Sequence, residues 1–265
     1  MMYNKVISLF PASHPWREKI HYFDSISSTN TTAKQLAAEG APEGTILLAD
    51  MQTGGRGRMG RSFHSPAGCG IYMSVILRPR CPASQLMHLT CAVAVATANA
   101  IEASTGLRPG IKWTNDLVYD RRKLGGILTE LSLDKNGYVD YAVLGIGINC
   151  CQTAADFPED IRNIATSLQL CTRKPADRAG IAVAMINALE NMNRNLYDPR
   201  PFLLRYRKDC MTLGQQISLL CGDEVRHGIA LDVDDQGALV VKFDDGHTET
   251  VHSGEVSVRG MYGYV

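Results

Sequence analysis

The residues with the strongest chemical character lie between Gln52 and Pro66, where the chain reads Gln-Thr-Gly-Gly-Arg-Gly-Arg-Met-Gly-Arg-Ser-Phe-His-Ser-Pro. An arginine offers phosphate or carboxylate a planar fork of donors, and glycine lets the backbone approach a ligand closely. Such a stretch points to a loop that closes on an anion. Gly55 to Gly60 also satisfies the dinucleotide pattern GxGxxG, and Gly55 to Ser62 nearly satisfies the phosphate loop GxxxxGK[ST], with Arg61 in the lysine position. Both patterns need a helix to open directly behind the glycines, so that its N-terminus can hold the phosphate. Here Pro66, Ala67 and Gly68 break such a helix, and residues 71–77 are rich in β-formers. The unit reads as strand, loop, strand, and neither pattern applies. Turn chemistry alone would also fit a solvated, flexible hairpin.

A second group of candidates lies at residues 110–131. Gly-Ile-Lys-Trp-Thr-Asn-Asp-Leu-Val-Tyr is followed by a turn through Asp120, Arg121 and Arg122, then by Lys-Leu-Gly-Gly-Ile-Leu-Thr-Glu-Leu. This is the signature of a hairpin, with Lys112, Asn115, Asp116 and Lys123 in and around the turn of otherwise apolar strands. A lysine between Ile111 and Trp113 faces a cavity or an anion, unless it snorkels at a strand edge. Downstream, Leu144-Gly-Ile-Gly-Ile-Asn149 is a strand whose glycines leave room for something flat against the backbone. Upstream, Ser28, Thr29 and Asn30 precede a helix-forming run at 33–39 that Gly40 closes. Such residues cap a helix; they either do nothing more or offer hydroxyls and N–H groups to a small polar ligand.

Hydropathy supplies the scaffold around these positions. Residues 1–20 read as an irregular lead-in, Tyr22-Phe23 as a short strand, and 45–49 as the buried strand that enters the arginine loop. From 84 to 105, Leu86, Leu89, Val93, Ala96 and Ala100 recur at helical spacing until Gly106. His88 on this helix reads as a packed or surface histidine rather than a ligand. Asn136-Gly137 predicts a hairpin turn. Residues 161–170 and 176–196 read as helices, and 202–207 as a short one. Beyond Gln215 the chain changes to short β-runs at 217–220, 225–233, 238–243 and 248–251, separated by Gly and Asp turns. They predict a small β-barrel or sandwich as a separate unit.

The totals bound the function. A chain of 265 residues can bury a full core and hold one large domain, or one large and one small. Its 27 Lys+Arg balance 27 Asp+Glu, so the basic face of a DNA-binding protein is not expected. Eight cysteines include no CxxC pair and no zinc-finger spacing, and Cys150-Cys151 is not a metal pattern, which predicts reduced, mostly buried thiols. No apolar run reads as a membrane span, and the N-terminal segment, with His14-Pro15-Trp16-Arg17-Glu18, lacks a signal peptide's apolar core. A soluble, cytoplasmic protein is expected.

Taken in order, the arginine loop, Lys-Trp-x-Asn-Asp-Leu at 112–117, Lys-Leu-Gly-Gly-Ile-Leu at 123–128 and Gly-Ile-Gly-Ile-Asn at 145–149 resemble the biotin protein ligases, also called biotin–[acetyl-CoA-carboxylase] ligases. The likeness runs from Tyr22 to the C-terminus, where Gly254-Glu255-Val256-Ser257-Val258-Arg259-Gly260 resembles the end of that family's C-terminal barrel. Thr114 departs from the family's usual proline, Phe63 from its tryptophan, and Cys150 or Cys151 differs as well. The resemblance implies an α+β fold: a lead-in at 1–20, a biotin- and ATP-binding catalytic domain of mixed β-sheet and packed helices at 21–210, and a small all-β barrel at 211–265. It implies that biotin's carboxylate attacks the α-phosphate of ATP, with Mg²⁺, giving biotinyl-5′-AMP. A specific lysine of a carboxylase's biotin-carrier domain then takes the biotinyl group.

By motif position, Ser28, Thr29, Asn30, Gln52, Arg56, Gly57, Arg58, Lys112, Gly125 and Gly126 would hold biotin. Arg56, Arg58, Arg61, Asn115, Asp116, Lys123 and Asn149 would hold ATP, with Asn149 near the adenine and Asp116 as metal contact. Lys112 and Arg58 would be catalytic, because two anions that must meet need cationic donors to offset their repulsion. Repressor members of the family carry an N-terminal helix-turn-helix, whereas residues 1–20 alone precede the first strand here. The implied type is therefore monofunctional, a monomer or homodimer with no DNA or membrane partner.

Two other functions compete. A lipoate or octanoate ligase shares the catalytic fold, but the arginine loop and the C-terminal barrel favour biotin. A non-catalytic RNA-binding protein could use a Gly/Arg segment, usually a disordered tail; here it lies between apolar strands of a neutral chain, which argues against that reading.

Overall fold

The central sheet is built from β1 (Ile20–Phe23), β2 (Ile46–Ala49), β3 (Gly70–Leu77), β4 (Gly110–Lys112), β5 (Asp116–Tyr119), β6 (Arg122–Leu133) and β7 (Val139–Asn149). They lie in the order β1-β2-β3-β7-β6-β5-β4, with β1 parallel to β2 and every other pair antiparallel. This computed structural model describes residues 2–221, 224–252 and 257–260, so Gly254, Glu255 and Val256 of the C-terminal resemblance lie outside the described residues. The helices are α1 (Met2–Leu9), α2 (Thr29–Ala38), α3 (Leu89–Thr105), α4 (Leu168–Thr172), α5 (Arg178–Arg194) and α6 (Arg200–Asp209).

Strand alternation gives the sheet two different faces. One carries Ile46, Leu48, Met73, Val75, Leu144 and Ile148 into the main core with α3 and α5. On the other, Leu47, Ile76 and Val143 pack beneath Ala33 and Ala37 of α2. That helix covers only part of its face. The rest of the face is a patch where Ser74 and Leu128 both stand opposite Gly145, and Gly126 stands opposite Gly147.

Four elements differ from what the sequence suggests. Residues 1–20 are not irregular: α1 docks on α5, Val6, Phe10 and Trp16 enter the main core, and Lys5 pairs with Asp177 at 2.8 Å. So short a helix is stabilised by its tertiary contacts rather than by its own pattern. Residues 110–119 are two strands, not one, because the chain folds back at Trp113, Thr114 and Asn115, where the Trp113–Thr114 peptide is cis. The expected turn follows at Asp120 and Arg121, with φ of 48° and 58°. Residues 161–167 are not helical, since their backbone is drawn onto β6: Lys123 N donates to Ile164 O at 2.7 Å and Thr166 N to Lys123 O at 2.8 Å. Finally, Ala83–Thr105 is long and apolar enough to cross a membrane by length and composition, but 72% of its most apolar window is buried inside the protein. It packs against α5 and α6, and is a core helix. His88 is buried there with Nε2 3.1 Å from Leu196 O.

The C-terminal strands β8 (Gln216–Cys221), β9 (Glu224–Val233), β10 (Leu239–Phe243), β11 (Thr248–Val251) and β12 (Ser257–Gly260) form an antiparallel sheet of their own. Its buried side chains, among them Ile217, Leu219, Val233 and Val241, belong to the same core as the central sheet. The tail also grips the β4–β5 turn. Met211 N donates to Ile111 O (2.8 Å), Trp113 N to Thr212 Oγ1 (2.9 Å) and Trp113 Nε1 to Gly237 O (3.0 Å). From α6, the Tyr206 hydroxyl donates to Thr114 O at 3.0 Å. The described cysteines are all free thiols.

Candidate active site

One cavity opens on the uncovered patch of the sheet, between the start of α2, the arginine loop and the β4–β5 turn. Its first end is neutral. Ser28 caps α2, its Oγ accepting from Thr31 N at 3.4 Å, so Thr29 and Asn30 lie inside the first turn rather than ahead of the helix. Asn30 lies flat over Gly145, where a Cβ would come 2.0 Å from its Oδ1. Its Nδ2 donates to Leu128 O (3.2 Å) and Glu130 Oε2 (3.0 Å), while its Oδ1 lies 2.6 Å from Ser74 Oγ. Ser74 Oγ is also 2.8 Å from Thr29 Oγ1. Thr29 donates from N and Oγ1 to Gln52 Oε1, at 2.8 and 3.0 Å, and Gln52 Nε2 donates to Ser65 Oγ at 3.1 Å. A continuous polar chain thus joins β6, β3, α2 and the base of the arginine loop. At its outer end, Glu130 Oε1 lies 2.8 Å from Lys34 Nζ and 3.8 Å from Arg56 Nη1. Burial opposes the Glu130 charge, but hydrogen bonds from Lys34 and Asn30 outweigh it and hold the carboxyl below its ordinary value.

The second end is charged. The arginine loop is a narrow hairpin: Gly57 N donates to Arg61 O (2.7 Å), Phe63 N to Gly55 O (2.9 Å), and the turn falls at Arg58–Gly60. Phe63 lies over Gly147, where a Cβ would come 2.6 Å from its ring. Arg58 reaches across to the β4–β5 turn, with Nη1 3.2 Å from Asn115 Oδ1, and Asn115 Nδ2 is anchored on Ile127 O at 2.8 Å. Burial pushes the Arg58 guanidinium below its ordinary value, against the pull of Asp116. Lys112 is 5% exposed on β4, and Lys123 Nζ pairs with Asp116 Oδ1 at 2.8 Å. The lining holds Arg56, Arg58, Arg61, Lys112 and Lys123 against a single carboxylate, Asp116. Such an excess of positive charge suits a strongly anionic ligand. Among the described residues, no three His, Cys, Asp or Glu side chains converge as a metal site. A Mg²⁺ would fit here only on phosphate oxygens, with Asp116 as its one protein anion.

Of the residues singled out from sequence, the cavity gathers Ser28, Thr29, Asn30, Gln52, Arg56, Gly57, Arg58, Arg61, Lys112, Asn115, Asp116, Lys123 and Gly126. Gly125 and Asn149 are not in the lining. Alternation turns Gly125 to the opposite face from Gly126, where a Cβ would meet Gly147 O at 2.5 Å and Ile148 Cδ1 at 2.7 Å. Asn149 is consumed by the fold: its Nδ2 donates to Thr166 O (3.0 Å) and its Oδ1 accepts from Gln152 Nε2 (3.2 Å). Sequence reasoning missed Ser74 and Glu130. The signal for Ser74 was a lone hydroxyl in an otherwise apolar strand.

Comparison with known proteins places the chain. Residues 22–149 match the biotin/lipoate A/B protein ligase family and residues 212–259 the biotin protein ligase C terminal domain. The chain is 38% identical over 239 residues to the bifunctional ligase/repressor BirA of Bacillus spizizenii, covering 89% of this chain and 73% of that protein. It is 32% identical over 255 residues to the biotin–[acetyl-CoA-carboxylase] ligase of Mycobacterium tuberculosis, covering 94% and 91%. The biotin protein ligase of Aquifex aeolicus, solved in complex with biotin and ATP, superposes with a TM-score of 0.78 at 28% identity, covering 92% of this chain and 99% of that one. With both of its units matched and relatives of this likeness covered over most of their length, the chain belongs to the biotin protein ligase family.

Proposed function

We propose that the chain activates biotin with ATP to biotinyl-5′-AMP, releasing pyrophosphate, and then transfers the biotinyl group to a lysine of a biotin-carrier domain such as that of acetyl-CoA carboxylase. The observation that carries this is the pairing of the neutral end with the cationic end in one cavity. At the neutral end, the Thr29 and Asn30 side-chain oxygens keep lone pairs to offer. Among the described residues, the Ser28 hydroxyl proton and the second Gln52 amide hydrogen remain to be given. Two acceptors and two donors complement a cyclic urea, which has two N–H groups flanking a carbonyl. The dithiolane of lipoate would leave these groups unpaired, at about 1–3 kcal/mol each, so the arrangement supports biotin over lipoate.

At the cationic end, biotin's carboxylate oxygen attacks the α-phosphorus and pyrophosphate leaves. Lys112, Arg56 and Arg58 offset the repulsion between the two anions and the charge that develops as they meet. A Mg²⁺ bound with ATP would supply further neutralisation of its phosphates, with Asp116 as the lining carboxylate able to hold it. In the second step the carrier lysine's amine attacks the acyl carbon and AMP departs. The arginine loop orders over the adenylate as a lid, keeping water from the mixed anhydride. The reaction belongs in the cytoplasm, in keeping with the free thiols. Biotin-dependent exchange between ATP and pyrophosphate tests substrate and reaction together. Exchange is expected with biotin and not with lipoate; lipoate-dependent exchange would overturn the choice. No exchange, together with salt-sensitive binding of RNA, would reinstate a binding protein.

A further inference from the structure

We propose that Ser74 is a positioning residue that sets head-group specificity: its proton on Asn30 Oδ1, opposite the two β6 acceptors that take the amide hydrogens, pins the Asn30 amide in place with its oxygen, rather than its N–H donors, presented to the ligand. The inference rests on the function proposed above and deepens it. Asn30 spans three strands. On the β6 side both of its amide hydrogens are committed, to Leu128 O at 3.2 Å and Glu130 Oε2 at 3.0 Å. On the β3 side its Oδ1 lies 2.6 Å from Ser74 Oγ, and an amide oxygen cannot donate, so the proton of that contact belongs to Ser74. With that proton spent, Ser74 Oγ can only accept from Thr29 Oγ1, 2.8 Å away. Thr29 therefore turns its own proton inward, to Ser74 Oγ or to Gln52 Oε1 at 3.0 Å, and shows the cavity a lone pair. Ser74 thus completes, with Leu128 O, Glu130 and Gln52 Oε1, the set of contacts that fixes the polarity of two lining side chains.

Packing gives no reason for a serine at this position. Its neighbours along β3, Met73, Val75 and Ile76, are fully buried and apolar, and Ser74 itself is 0% exposed. A hydroxyl placed there weakens a strand unless its bonds serve something. Gly145, directly across from Ser74, completes the arrangement by leaving the gap in which the Asn30 amide lies.

The test is Ser74→Ala in the full chain, with biotin affinity measured by titration calorimetry without ATP, and KM for biotin and for ATP measured in pyrophosphate exchange. Loss of the donor to Asn30 Oδ1 is expected to raise the biotin Kd and KM about tenfold. The KM for ATP and kcat should hold. The preference for biotin over an analogue methylated at one ureido nitrogen should narrow, because the acceptor wall is no longer fixed. Ser74→Cys, a weak donor of similar shape, should fall between the two, and it carries the test if Ser74→Ala does not fold. A Ser74→Ala protein that melts earlier but keeps wild-type biotin affinity and selectivity overturns the specificity role and leaves Ser74 structural. A wild-type chain that binds no biotin overturns the proposed function and this role with it.

Discussion

The two ends of the cavity solve recognition in opposite ways. At the α2 end, Ser65, Gln52, Thr29, Ser74, Asn30 and Glu130 are linked to one another, so the wall is organised before any ligand arrives. At the arginine-loop end, five cationic side chains share the lining with a single carboxylate, that of Asp116, and the surplus of positive charge suits an anionic ligand. A polar wall whose members hold one another in place gives selectivity at little cost in reorganisation. A surplus of like charge gives attraction and rate. Selectivity and chemistry are therefore separable here, and substitutions should divide accordingly.

The largest effects belong to the charged end. Lys112→Ala is expected to slow adenylate formation by about 10²–10³-fold while leaving transfer from supplied biotinyl-5′-AMP near wild type. If transfer alone were impaired, Lys112 would belong to the second step. Arg58→Gly removes the link from the loop to Asn115 and should leave the fold intact while biotinyl-5′-AMP escapes before transfer. Retention of the adenylate at wild-type levels would argue that the loop is not its lid.

Gly145→Ala should give an intermediate effect confined to the other end. The new Cβ would fall 2.0 Å from Asn30 Oδ1, forcing the amide off the sheet and raising KM for biotin by roughly 10–100-fold, as for loss of one or two hydrogen bonds. A larger change in kcat than in KM would blur the division between the ends.

Glu130→Gln sharpens the comparison at the smallest scale. Because the folded carboxyl sits below its ordinary value of 4.5, its contribution to stability is fully present above that pH. It is lost as pH falls through the folded value. The variant should melt below wild type near neutral pH, by the equivalent of about 1–2 kcal/mol, and the difference should close in acid. A gap that persisted in acid would mean that packing, not charge, accounts for Glu130.

Much of this was legible in the sequence, for identifiable reasons. Strands at 46–49 and 70–77 are short apolar runs fully buried on both sides, and Gly106 closes α3 in the left-handed region at φ 73°. The motif residues of the arginine loop and of 112–126 gather because the loop reaches across the sheet to the β4–β5 turn, where Arg58 meets Asn115. What escaped was set at long range. The turn at Trp113 to Asn115 lacks glycine and is held from outside by Thr212, Gly237 and Tyr206. Residues 161–167 have apolar spacing that suits a helix, but the edge of β6 claims their backbone. Asn149 carries the family's motif position, yet its amide serves the loop that holds Thr166 and Gln152. Ser74 could be placed only once β3 was known to lie opposite Gly145.

The grip of the tail on Trp113 gives the small sheet a share in the site, although none of its described residues lines the cavity. Gly237, at φ 84°, presents its carbonyl to the indole from the turn between β9 and β10, with Cys91 of α3 close behind. The turn that joins Lys112 to Asp116 is thus held partly by Thr212 and Gly237, 99 and 124 positions beyond Trp113 in the chain. Damage to that distant turn would register as slower chemistry rather than as a lost appendage.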